Sequence, residues 1–331
     1  MTDEWRVLCG DAVETMRTLP EGEADLVLTD PPYNIGKADW DKIEQFTDWT
    51  RVWLCETARV ARPNAVLYMF CGDIEQIADI LVMMRQDTPW RLLSFCAWDK
   101  GETFRAQAWK RRCPDGDTAP RAWFPALEYC IHAVNVGSDG AWGKTGLDRI
   151  YSNPACFAPL KRWYNDECAR LGMTAREIGE KYTAVTGKKP YMLRHYFQDS
   201  QFAIPTREVW NAVYKPLGFG REYEEMRREY EEMRYAHRCD EDARNLWRCG
   251  TVGSGAKERY HPTQKPVQLL RRLIRTSSRP GEVVLDPFCG SGSCGVAAMA
   301  EGRRFIGIDR DAEYCAHARK WIGAGVQMGL T

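Results

Sequence analysis

Short apolar runs alternate with stretches of helical spacing over the first 134 residues. Positions 6–9 and 25–29 (DLVLT) read as strands, and 11–19 between them as a short helix closed by Pro20 and Gly22. Ile43, Phe46, Trp49, Trp53 and Val60 recur at helical spacing, and Pro63-Asn64 is expected to stop that helix. A strand at 65–70, a helix at 73–85 with Asp73 as N-cap, and strands at 91–98 and 127–134 complete the series. The same rhythm returns from 265. It predicts a helix through Val267, Leu270, Leu273 and Ile274, a strand at 282–285, a helix at 294–300, a strand at 304–308 and a last helix at 313–322. Strands alternating with helices imply an α/β fold built on a doubly wound, mostly parallel sheet.

The pattern breaks between these blocks. Residues 151–219 carry little β signal, and their ten Lys/Arg against six Asp/Glu give a net charge of +4. REYEEMR then occurs twice, at 221–227 and 228–234, placing Tyr223, Met226, Tyr230 and Met233 on one helix face. Two heptads are too few for a coiled coil, so the stripe reads as a charged helix packing on the body. The expected division is therefore 1–150, an inserted and mainly helical 151–245, and 246–331.

Composition narrows the class. The 331 residues are 44% hydrophobic and 28% charged, with a net charge of zero, as expected of a globular chain. A whole-surface nucleic-acid binder is disfavoured, but a local basic face is not. No apolar run reaches the ~20 residues of a membrane span. Residues 1–5 lack a basic flank and an apolar signal segment, so export is not expected. None of the thirteen cysteines forms a C-x-x-C pair. Cys9, Cys55, Cys71, Cys96 and Cys130 sit in apolar stretches and are expected to act as small hydrophobes in a reducing cytoplasm. His237, Cys239 and Cys249 lack ligand-pair spacing, so no metal site is expected.

Two short constellations carry chemistry. Residues 282–295 (EVVLDPFCGSGSCG) run a buried strand into a glycine-rich turn that opens a helix. Gly290, Gly292 and Gly295 fit G-x-G-x-x-G, and Asp309 ends the next strand. Such glycines let a ligand approach backbone N–H groups, and the distal carboxylate can bind ribose hydroxyls, so a nicotinamide or flavin site is a rival reading. Asp286, standing before the first glycine, would repel a pyrophosphate but suits a cationic amino-acid group. The second constellation is LTDPPYNIG at 28–36. Pro31 and Pro32 lock the backbone and remove two N–H donors. Carbonyls are left beside the Asp30 carboxylate, with the Tyr33 ring next to them, a setting for a planar group bearing an NH2.

LTDPPY early and LDPFCGSG late resemble the S-adenosylmethionine-dependent amino-methyltransferases of DNA, in the permuted order of their beta class. Leu8-Cys9-Gly10-Asp11 and the HPTQKP run at 261–266 support the likeness. The resemblance implies a permuted Rossmann-like fold. Residues 1–150 would be its catalytic half, 151–245 a target-recognition region and 246–331 the cofactor half. It implies Asp30, Pro31, Pro32 and Tyr33 as the catalytic set. Asp30 and the Pro31 carbonyl would take hydrogen bonds from the target amine, and Tyr33 would be the platform for a flipped base. Asn34 reads as a turn residue.

For S-adenosylmethionine, the resemblance points to Phe288, Gly290 and Gly292 lining the turn. Asp286 would face the methionine ammonium, Asp309 the ribose, and Asp11 the adenine or simply the N-cap of its helix. Thr263 and Lys265 would reach the methionine carboxylate, with a solvated helix-start lysine as the equal alternative for Lys265.

Double-stranded DNA is the implied partner, with no membrane. A homodimer and a cognate restriction endonuclease fall within the range of partners, without the sequence deciding either. A bacterial or phage origin and a cytoplasmic location are implied. Arg105, Lys110, Arg111 and Arg112 look like phosphate contacts. Lys188, Lys189, Arg194 and His195 belong to a helix-turn-helix-like reader over 174–197, with a second helix beginning at 191. Adenine N6 is the expected target because the family's cytosine-N4 members more often carry Ser at the place of Asp30. Cytosine N4 is the alternative. A nicotinamide oxidoreductase and a catalytically dead DNA-binding module are the readings from other classes.

Overall fold

A computed structural model describes residues 4–36, 41–101, 127–136, 157–190, 202–233, 244–252 and 264–327, with positions 193, 196, 197 and 260. The chain divides into two compact units, residues 1–137 with 236–331, and residues 138–235.

The first unit is an eight-stranded sheet. Its strands are β1 (Trp5–Cys9), β2 (Ala24–Thr29), β3 (Ala61–Cys71), β4 (Trp90–Asp99), β5 (Leu127–Asn135), β6 (Leu246–Arg248), β7 (Val283–Asp286) and β8 (Arg304–Asp309), in the order β1-β8-β7-β2-β3-β5-β4-β6. Only β5 runs antiparallel to its neighbours. Helices α1 (Ala12–Arg17), α2 (Phe46–Val60) and α3 (Ile74–Asp87) bury Met16, Trp53, Leu54, Ile77 and Ile80 against Val27, Leu67 and Met69 of one sheet face. Asp11 caps α1 by accepting from the Val13 and Glu14 amides, and Asp73 caps α3 by accepting from Gln76.

Three sequence expectations are corrected here. Pro63-Asn64 does not separate α2 from the next strand. β3 starts at Ala61, and the two residues form an irregularity at which the register on β2 shifts between Ala24↔Ala61 and Leu26↔Val66. Asn64 takes φ 67°, a left-handed conformation that asparagine tolerates. β6 has no counterpart in the sequence reading, since three residues are too few for periodicity to register. Cys9 is exposed and Cys55 partly exposed, whereas Cys71, Cys96 and Cys130 are buried as expected.

The second unit has an aromatic core. Helices α4 (Ala158–Leu171), α5 (Ala175–Thr186) and α6 (Tyr223–Met233), with the helical turns from Arg207 to Leu217, enclose Phe157, Phe197, Trp210 and Tyr214. Met226 is buried in this core, and Tyr223 and Tyr230 pack against it, which is the plain packing role read from the REYEEMR repeat.

On the other sheet face lie α7 (Val267–Ser277), α8 (Ser293–Ala300) and α9 (Ala312–Gln327). The Tyr68 hydroxyl meets Ser277 at 2.8 Å. Gly292 caps α8 at φ 86°, and a Cβ there would lie 2.8 Å from the Cβ and 2.9 Å from the Cα of Ala318 on α9. Gly302 has φ 69° and open space around it. Gly302→Ala is expected to cost only the left-handed backbone term, about 1–2 kcal/mol. Gly292→Ala should cost about 2 kcal/mol more, because backbone must also move. Urea melts of the two variants measure the difference.

Candidate active site

β2 and β7 are parallel neighbours, with Leu26↔Val284 and Val27↔Leu285 in register. From β2 the chain goes on to β3 on one side, and from β7 to β8 on the other. The carboxyl ends of two such strands open a crevice that neither connection covers. A cavity of about 480 Å³ opens there, bordered by both acid-proline turns, Asp30-Pro31-Pro32-Tyr33 and Asp286-Pro287-Phe288.

On the β7 side, Asp286 is buried at 5% exposure. Its Oδ1 accepts from the Thr29 hydroxyl at 2.9 Å and from the Phe288 amide at 3.2 Å. Burial pushes its carboxyl up to about 7, with the nearby Asp30 and Asp309 charges adding to the rise. Phe288 packs edge-on against Trp53, centroids 5.2 Å apart, and lies 5.5 Å from Trp49. The Trp53 indole N–H is buried without a hydrogen-bond partner and its ring borders the cavity. Sequence spacing identifies both tryptophans only as helix-face residues.

Gly290 has φ 48° and open space where a Cβ would stand, so its backbone faces the cavity bare. Its N–H donates to Asp309 Oδ2 at 2.9 Å, and the Asp311 N–H to Oδ1 at 2.9 Å, so Asp309, expected to face a ribose, also holds the glycine turn. Gly292 and Gly295 act differently from Gly290. A Cβ on Gly295 would meet Ile322 at 2.4 Å and Phe305 at 2.7 Å, so Gly292 serves close packing on α9 and Gly295 packing on α9 and β8, behind the turn. Asp11 caps α1, as one of its two expected roles has it, and also borders the cavity.

The β2 side holds a charge network. The Tyr33 hydroxyl lies 2.6 Å from Asp30 Oδ1 and 2.8 Å from Glu128 Oε1. Lys265 Nζ lies 2.5 Å from Asp30 Oδ2, 2.9 Å from Glu128 Oε1 and 3.2 Å from the Tyr33 hydroxyl. Lys100 Nζ holds Glu128 Oε2 at 2.6 Å. Burial lowers the proton affinity of Lys265, but the Asp30 and Glu128 carboxylates outweigh burial and raise it above the ordinary lysine value. Burial opposes ionisation of Glu128, yet Lys265 and Lys100 hold its carboxyl below the usual range. Tyr33 stays a phenol, its ionisation pushed well up by burial and the two anions.

Lys265 is therefore not a solvated helix-start lysine. It is 5% exposed, with its ammonium 4.9 Å from the Phe70 ring centroid. Glu128 is absent from the residues that the sequence singles out; its signal is one acid inside an otherwise apolar strand, LEYCIHAV. The Tyr33 ring lies against Gly72, where a Cβ would come within 2.6 Å of it. Asn34 braces the loop at φ 55°, accepting from the Ile43 amide at 2.8 Å, and Asp41 accepts from the Asn34 and Ile35 amides.

In the second unit the capping box Thr174/Glu177 opens α5, and Gly187 at φ 66° ends it ahead of exposed Lys188 and Lys189. The expected second helix does not run to 197. Tyr196 bridges Ala203 and Phe197 has φ 56°, both buried in the aromatic core. That part of the helix-turn-helix reading is dropped, because the aromatic side chains there pack inward from a turn. Arg105, Lys110, Arg111, Arg112, Arg194, His195 and Thr263 lie outside the described residues.

An open, mostly parallel sheet with acid-ended strands at its switch point and a glycine turn beside them defines a Rossmann-like group-transfer fold. The profile of a family described as DNA methylase matches residues 24–320, and the chain belongs to that family, the N6 and N4 amino-methyltransferases of DNA. The type II methyltransferase M.HpaI of Haemophilus parainfluenzae is 25% identical over 321 residues, 95% of this chain and 73% of that one. Two solved structures share the fold. One is a Thermus thermophilus protein described as a DNA modification methylase and solved with S-adenosylmethionine. It is 19% identical, covers 97% of this chain and 94% of its own, and has a TM-score of 0.52. The other is the cytosine-N4-specific PvuII DNA methyltransferase, 15% identical, covering 100% of this chain and 94% of its own, with a TM-score of 0.54.

The raised Asp286 carboxyl makes a stability prediction. The folded protein holds a proton there that the unfolded chain has already lost, in the window between the ordinary carboxylate value and about 7. Stability without ligand is therefore expected to fall as pH rises through that window, by roughly 2–4 kcal/mol from this group. Asp286→Asn should remove that fall, so that its advantage in stability over the parent is larger at pH 8 than at pH 5. Urea melts at the two pH values check this.

Proposed function

We propose that the chain transfers a methyl group from S-adenosylmethionine to the N6 amine of adenine in double-stranded DNA. The supporting observation is that Asp30 and Asp286 stand at the ends of adjacent strands in one cavity with different partners, Asp30 a buried ammonium and Asp286 only neutral donors. Asp286 is a buried acid whose hydrogen-bond donors are neutral, which suits the ammonium of an amino acid. The bare Gly290 backbone, the unpartnered Trp53 indole N–H and the Asp309 carboxylate fit the rest of such a cofactor. Bound there, S-adenosylmethionine would supply an activated methyl group on its sulfonium.

The chain's own residues do the remainder. The exocyclic amine of a base is a poor nucleophile because its lone pair is delocalised into the ring. Hydrogen bonds from the NH2 to Asp30 and to the Pro31 carbonyl localise that pair as the nitrogen becomes tetrahedral. Lys265 Nζ, 2.5 Å from Asp30 Oδ2, holds the side chain that is to meet the amine in place. Holding amine and methyl donor in one cavity supplies proximity. The base must leave the duplex to reach this depth, and Tyr33 stands beside Asp30 to receive it.

Adenine is favoured because an acid stands at position 30, where cytosine-N4 members of the family more often carry Ser. The second unit is assigned to DNA recognition on its net positive charge and on Lys188 and Lys189, exposed at the end of α5.

Incubation with labelled S-adenosylmethionine and duplex DNA, followed by digestion to nucleosides, tests the reading. N6-methyladenine is expected; N4-methylcytosine alone would move the target to cytosine, and no transfer would remove the proposal. Asp30→Ala should abolish transfer while leaving cofactor affinity within about 3-fold, since a transition-state contact sets rate and not ground-state binding. Joint replacement of Lys188 and Lys189 by Ala should weaken binding to all duplexes alike and reduce the slope of log affinity against log salt by about 1–2. Binding isotherms at two salt concentrations read this out, and an unchanged slope would take phosphate contact away from this turn.

A further inference from the structure

Both oxygens of the Asp30 carboxylate are engaged within the protein: Oδ1 with the Tyr33 hydroxyl and Oδ2 with the Lys265 ammonium. A target amine has to share or take one of these places. An ammonium 2.5 Å away in a buried site is a strong competitor for it, because charge-assisted hydrogen bonds outmatch those of a neutral amine. The same two donors have a second acceptor. Glu128 Oε1 is 2.9 Å from Lys265 Nζ and 2.8 Å from the Tyr33 hydroxyl. Its other oxygen is pinned by Lys100 at 2.6 Å, so Glu128 is anchored independently of Asp30.

We propose that Glu128 is a positioning residue for methyl transfer. It draws the Lys265 ammonium and the Tyr33 hydroxyl partly off Asp30, so that the target amine can enter, while both donors stay close enough to hold the carboxylate in place. The inference rests on Asp30 as the acceptor for the amine. A purely structural Glu128, neutralising a buried lysine, would affect folding and cofactor affinity together. A positioning Glu128 affects turnover with both intact.

The test compares Glu128→Gln, Glu128→Asp and Asp30→Ala in the full-length protein, measuring thermal midpoint, S-adenosylmethionine affinity, DNA affinity, and kcat against KM. Glu128→Gln leaves Lys265 with Asp30 as its one anionic partner in this network. It is expected to lower kcat by about 10-fold or more, as small misplacements at a reacting group do, with both affinities within about 2-fold. Glu128→Asp keeps the charge and should fall between the variant and the parent. Should Glu128→Gln not fold, Glu128→Asp decides: reduced kcat with intact cofactor affinity supports the role, and parental kcat overturns it. Parental kcat in Glu128→Gln overturns it, as does a kcat loss matched by lost cofactor affinity that Glu128→Asp does not restore. If those results come with an inactive Asp30→Ala, only this inference falls; if Asp30→Ala turns over normally, the reading of Asp30 itself falls.

Discussion

Negative charge taken out of water must be matched by a cation or surrendered to a proton. The ends of β2 and β7 show both solutions side by side. Asp30 and Glu128 are matched by Lys265 and Lys100, and Glu128 is held below the usual carboxylate range. Asp286 is met by neutral donors, the Thr29 hydroxyl and the Phe288 amide, and its proton affinity rises to about 7. The site neutralises one acid internally and leaves its neighbour short of a cation, so the two carboxyls present different chemistry to the cavity. The division of labour in the cavity follows from where the chain placed these two lysines.

That contrast needs the two strands to be adjacent. Thr29 and Asp286 are 257 residues apart in sequence and joined by one hydrogen bond of 2.9 Å. Parallel pairing aligns β2 with β7 so that their acids emerge at the same edge, and connections leaving in opposite directions keep that edge open. The order of the two motifs along the chain therefore has no bearing on the chemistry. What matters is that each follows a buried strand, because a fully buried strand such as Val283–Asp286 fixes where its terminal acid must lie.

The strands other than β6, most helices and both acid-proline turns were legible in the sequence because each is a local pattern. Apolar alternation marks the sheet, Asp11, Asp73 and Thr174 mark helix starts, and prolines mark the turns. The positions that escaped are those whose meaning is set by distant partners. Lys265 resembles any lysine at a helix start until β2 and β5 surround it with Asp30 and Glu128. Glu128 carries a faint local signal, an acid in an apolar strand, which only its cations explain. Gly290 and Gly292 look alike in the motif, yet one faces open space and the other the α9 backbone. The run at 196–197 reads as helical by composition, but its aromatics turn into a core that the sequence did not announce.

That aromatic core bears on how the chain can serve two purposes. The second unit buries Phe157, Phe197, Trp210 and Tyr214 among its own helices, whereas the sheet buries Trp53, Leu67 and Ile131 among its own. Stability of each unit rests on separate contacts, so changes on the surface of one need not strain the packing of the other. The charge distribution follows the same split. Residues 138–235 carry a net +2 in a chain of net charge zero, while the charged groups at the cavity pair with one another. Lysines at the cavity are held by carboxylates and contribute little field outside it. Lys188 and Lys189, exposed at the end of α5, project theirs into solvent, where a phosphate backbone would meet it. The charges at the cavity are thus internally balanced, and those at the end of α5 are not.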